Sequence, residues 1–143
     1  MKLHKIDVAR SQLEWAIDQF LSSKDFIPAL TLAGAAEDIL GTLLQRKSKE
    51  KHVLQNLYEW HQENTGEKIA FGDFARKANF TRNTLKHANE ESEDQIEVFR
   101  WEAVQMIMRA LVNYRQLVGT PTEKMLVFNG WLQKNNGAYD KME

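Results

Sequence analysis

Apolar residues recur every three or four positions through most of this chain, and almost no segment alternates with period two. That pattern predicts an all-α protein, an up-down bundle of four to five main helices in one domain over residues 1–143. The first helix is expected from about Lys2 to Leu21. Leu13, Ile17, Phe20 and Leu21 form its stripe, and Trp15 and Ala16 widen it. Ser22-Ser23-Lys24-Asp25 interrupts it. The second helix is expected to start near Pro28, a residue favoured in a first turn, and to run to about Arg46. Leu30, Leu32, Ala33, Ala36, Ile39, Leu40, Leu43 and Leu44 make it the most apolar helix, so it belongs at the centre. A third spans about Glu50 to Asn64 and is closed by Thr65-Gly66. From Glu67 to Asn79 the pattern weakens to a short helix or ordered loop anchored by Phe71, Phe74 and Phe80. The acidic run Glu90-Glu91-Ser92-Glu93-Asp94 suits the first turn of the next helix, with Ser92 as a cap. That helix continues to about Leu117 and stops at Gly119-Thr120-Pro121. Pro121 opens a last helix, and residues 136–143 are expected to fray.

The central helix carries two glycines, Gly34 and Gly41, seven residues apart and therefore on one face. Each costs about 1 kcal/mol relative to alanine inside a helix, so their shared face suggests another backbone approaching closely. Glu37 projects near the same face, where a carboxylate either has a partner or snorkels to the surface. Asp38 projects to the polar side.

Composition narrows the chemistry. The chain has no cysteine, which excludes disulfides, thiolate metal sites and cysteine nucleophiles. The four histidines lack a glutamate three residues before them, so no Glu-x-x-His di-metal pair exists, and there is no H-E-x-x-H zinc motif. No lysine–serine/threonine pair follows the glycines to make a phosphate loop. No metal and no cofactor are expected. A net charge of −1 argues against a general nucleic-acid coat, and confines any such contact to a local positive site or a groove built by two subunits. No uninterrupted apolar run reaches the ~18 residues of a membrane span. The N-terminus enters an amphipathic pattern directly, so a cytoplasmic protein without membrane contact is expected.

One cluster has no evident packing task. Arg82-Asn83-Thr84-Leu85-Lys86-His87 puts two cations, an amide and an imidazole within two helical turns. Arginine presents a planar fork of donors suited to phosphate. Histidine is the side chain best placed to move a proton near neutral pH. The same residues also suit a polar helix start capped by Thr81, with Lys86 and His87 solvated. The stretch Phe71–His87, with Arg76, Lys77, Arg82 and Lys86, is also compatible with a helix-turn-helix reader of nucleic acid.

The cluster has the form R-N-x-x-x-H and lies just before a long late helix in an all-α chain. In this it resembles the HEPN superfamily, whose R-x(4–6)-H motif often has Asn directly after Arg. The segment Thr31–Gly41, with its acidic Glu37, also looks like an early helix of such domains. The resemblance covers roughly residues 1–118 in helix order. It implies a four- to five-helix bundle that forms a homodimer with two motifs facing each other. It further implies a metal-independent endoribonuclease of toxin–antitoxin, abortive-infection or CRISPR type, or a non-catalytic relative that binds a nucleotide or a protein partner such as an antitoxin. Under the first reading His87 is the acid/base, Arg82 holds the phosphate, Asn83 orients either, Lys86 attracts RNA, and Glu37 holds Arg82. One departure is visible: Ala88-Asn89-Glu90 follow His87 where some toxin members carry a modifiable tyrosine.

Overall fold

The computed structural model describes residues 1–23, 25–48 and 51–135, and among them every regular element is helical. The helices are α1 (Lys5–Asp18), α2 (Phe26–Ser48), α3 (Val53–Thr65), α4 (Phe71–Ala78), α5 (Phe80–Thr84), α6 (Arg100–Val118) and α7 (Glu123–Lys134). Five of them are long, as the periodicity requires. The expected Glu50 start of α3 and the tail at 136–143 lie outside the described residues.

Helix α2 is the hub and packs chiefly against α6 and α1. Leu30, Ala33, Ala36 and Leu40 on α2 meet Leu13 and Ile17 of α1 and Val104, Ile107 and Leu111 of α6 in one buried core. Each fully buried large side chain contributes about 1.5–3 kcal/mol. By length and composition the stretch Phe26–Lys47 is apolar enough to cross a membrane, with a mean hydropathy of 1.4. Counting only uninterrupted apolar residues misses this, because Glu37 and Asp38 break the run. About half of that stretch, 56%, is buried inside the bundle.

Helix boundaries follow local chemistry more closely than apolar spacing. Helix α1 begins at Lys5 rather than Lys2, because the His4 ring accepts the Ile6 N–H at 3.1 Å and fixes the N-terminus there. It ends at Asp18 and passes into a π turn, Gln19–Ser23. Phe20 in that turn is fully buried and meets Phe128 and Trp131 of α7 edge-on, with ring centroids 6.1 and 5.0 Å away. Helix α2 starts at Phe26, two residues before Pro28, which still lies in the first turn where its missing N–H costs nothing. Gly66 closes α3 with φ +67°, as Thr65-Gly66 suggests. Pro121 likewise precedes α7 rather than opening it.

The acidic run does not start the late helix. Glu91–Glu93 form a separate 3-10 turn, and the Glu93 carboxylate accepts the Asn89 and Glu90 N–H groups at 2.6 and 3.3 Å. Residues 94–99 then run irregularly to α6. There Glu102, not Ser92, satisfies the first turn by accepting the Phe99 N–H at 2.8 Å. One carboxylate suffices to cap α6, so the rest of the acidic run is left to solvent.

Candidate functional site

The polar centre of the bundle is built on Glu37. This carboxylate is only 4% exposed, and two arginines hold it. Arg82 from α5 donates through Nη1 to Oε2 at 3.1 Å, and Arg109 from α6 donates through Nη2 to Oε1 at 2.9 Å. Both arginines are buried, at 6% and 7% exposure. Arg109 also donates to the Ala78 carbonyl at 3.2 Å and to Asn79 Oδ1 at 2.8 Å, which tethers the C-terminal end of α4. Asp38, exposed at the rim, lies 3.6 Å from Arg82 Nη1. A carboxylate buried at this depth is tolerable because both oxygens carry charged hydrogen bonds.

The paired glycines serve side chains, not an approaching backbone. A Cβ at Gly34 would sit 2.3 Å from Arg82 Cδ and 2.6 Å from its Cγ, so the aliphatic stem of Arg82 lies directly on the glycine. A Cβ at Gly41 would come within 3.3 Å of Asn113 Nδ2 and 3.6 Å of the His52 Cβ and ring. Asn113 is fully buried. Its Oδ1 accepts the Val53 N–H at 2.9 Å, and its Nδ2 donates to the Glu37 carbonyl at 3.4 Å. It therefore satisfies the start of α3, where the cap residue His52 makes no side-chain bond. Burial holds the His52 imidazole below its ordinary pKa. Glu37 opposes that shift, and Arg109 reinforces it.

Spacing alone concealed three members of this centre. Arg109 and Asn113 lie four apart on α6 among Met106, Ile107, Ala110, Leu111 and Tyr114, all buried. The readable signal was polar residues interrupting an apolar face at helical spacing. His52 gave no comparable signal.

The R-N-x-x-x-H residues do not form one helical surface. Helix α5 ends at Thr84, Lys86 lies in the turn beyond it, and His87 stands in irregular chain. Arg82 points inward, while Asn83, Lys86 and His87 are exposed. Asn83 Oδ1 accepts a long bond, 3.4 Å, from Arg82 Nε and is not hydrogen-bonded to His87. Thr81 is not the cap. Asn79 occupies that position, and the Thr81 hydroxyl donates to Glu102 of α6. Helix α5 does not serve as a recognition helix, since it has five residues and its arginine is buried, whereas Arg76 and Lys77 stand exposed on α4.

Two small cavities flank the ion-pair centre. One of about 90 Å³ is lined by Asp38, Thr42, His52 and Asn79, with Glu37 at its edge. The other, about 170 Å³, lies among Lys77, Arg82, Trp101, Gln105 and Arg109. Both fall below the ~300 Å³ of a typical small-molecule pocket, and His87 lines neither. Among the described residues no three His, Asp or Glu side chains gather as a metal site. Searches against family models, curated proteins and solved structures find no match to this chain.

The Arg82 fork is turned onto Glu37, and no described group orients the His87 ring. General acid–base chemistry needs an oriented donor beside a bound substrate.

Proposed function

We propose that this chain is a non-catalytic, HEPN-like helical module that works by binding a protein partner. The observation that carries this reading is the burial of Arg82 against Glu37. An arginine 6% exposed and bonded to a carboxylate offers little of its fork to a phosphate. The surroundings of His87 favour the same conclusion. Glu90 follows three residues later, at most about 11 Å along an extended chain. Glu90, Glu91 and Asp94 are exposed rather than packed away. Their like sign disfavours collecting a phosphodiester on this stretch of chain.

A second reading keeps the metal-independent endoribonuclease. It draws on the exposure of Asn83, Lys86 and His87 along one short segment, which a homodimer could bring together with the partner's copy. One experiment separates the two. Wild type and His87→Ala are incubated with a diverse single-stranded RNA pool in EDTA, and sedimentation is measured alongside. The binding module leaves the RNA intact in both samples. Wild-type cleavage giving 2′,3′-cyclic phosphate ends, lost in His87→Ala and accompanied by a species of twice 16.6 kDa, would overturn it.

A further inference from the structure

A groove of about 480 Å³ lies between α5 and the irregular strap at 94–99. It is roughly three times the volume of an engineered cavity that admits benzene, so a bulky side chain and flanking backbone fit. Phe80, Ile96 and Phe99 supply its apolar surface. Phe80 is 63% exposed and Ile96 39%, and the two lie in one groove. Its acidic lining consists of Glu93, Glu97 and Glu102, and neither lysine nor arginine lines it.

The charge around this groove is uncompensated. Glu90, Glu91, Glu93, Asp94 and Glu97 have no ion-pair partner among the described residues. The next cation along the chain, Arg100, is placed over the Phe20 ring at 4.9 Å instead. Glu102 is engaged through both oxygens, by the Thr81 hydroxyl and the Phe99 N–H, and Glu93 through one, by the Asn89 and Glu90 N–H groups. The groove therefore combines an apolar floor with free negative charge on its outer side.

We propose that this groove docks a basic peptide segment that carries one bulky apolar side chain. The anchor covers Phe80 and Ile96, and flanking Lys or Arg residues meet Glu93, Asp94 and Glu97. Buried apolar anchors supply most of the affinity at such sites, and complementary rim charge supplies rate and selectivity. A second copy of this chain is a poor occupant, because a two-fold contact would set two acidic rims against each other. RNA is repelled for the same reason. The inference rests on the partner-binding reading above and specifies the partner's chemistry.

The test is a selection of displayed random dodecapeptides on the folded protein, followed by anisotropy titration of synthetic copies. Enriched peptides should carry one aromatic or large aliphatic residue flanked by Lys or Arg, and should bind more weakly as salt rises. Phe80→Ser and Glu97→Lys should each weaken binding at least tenfold. Both positions are exposed, so circular dichroism should show an unchanged fold. Trp15→Ser, at an exposed tryptophan on α1, should leave affinity unchanged. Failure to enrich any peptide, enrichment of sequences without basic residues, or wild-type affinity in both groove variants overturns the proposal. None of these outcomes restores RNA cleavage, so the non-catalytic reading stands or falls separately on the His87 experiment.

Discussion

Gly34→Ala should destabilise this protein although alanine is the better helix former. Gly34 lies inside α2, where the exchange alone should stabilise by about 1 kcal/mol. The added methyl would fall 2.3 Å from Arg82 Cδ and 2.6 Å from Cγ. Those atoms are mid-stem, so the side chain must leave its seat. The 3.1 Å bond to Glu37 is then lost. A hydrogen bond to a charged group contributes about 1.5–3 kcal/mol, and Glu37 keeps Arg109, so the loss stays near that range rather than that of a fully orphaned charge. Subtracting the helix gain leaves a net destabilisation of roughly 0.5–2 kcal/mol. For a chain this size that is a fall of a few degrees in Tm, at roughly 2–4 °C per kcal/mol. The decisive arm is the same change in an Arg82→Ala background. With the stem gone, the alanine methyl enters free space and Gly34→Ala should stabilise by about 1 kcal/mol. Urea melts of the four proteins give the cycle, and the effect should change sign between backgrounds. A stabilising Gly34→Ala in the wild type, or equal effects in both backgrounds, refutes the packing of Arg82 on Gly34.

Glu37→Gln removes the one buried carboxylate shared by two buried guanidiniums, and should cost about 3–5 kcal/mol in urea melts, more than Arg82→Ala; a loss below 1 kcal/mol would show the network to be dispensable. His52 is held below its ordinary pKa by burial, so the unfolded chain binds its proton more readily. Stability from this group should be complete above about pH 6.5 and decline as pH falls through 6.5 towards the lower folded value; Tm measured from pH 7.5 to 5.5 should show that decline, and His52→Asn should flatten it.

The hydrophobic periodicity settled the secondary-structure class, the central place of α2 and the closure of α3 at Gly66, because apolar spacing and glycine conformations act within a few residues. The shared face of Gly34, Glu37 and Gly41 was legible for the same reason. That face revealed a seat without naming its occupant. The sequence pattern favoured another backbone, whereas packing placed the stem of Arg82 there and the side chains of Asn113 and His52 one heptad away. Arg82 and Glu37 are 45 residues apart, and Arg109 and Glu37 are 72 apart. No local rule selects such pairings; they form because burying a charge demands whichever opposite charge the fold brings near. The same physics separated Arg82 from His87. Spacing put them within two helical turns, but the ion pair drew the arginine inward, and the helix ended at Thr84, leaving the histidine in solvent. The acidic run shows a converse case: its residue types suited a helix start, but Glu102 met that need from inside α6, and Glu93 of the run came to line a groove with the exposed Phe80.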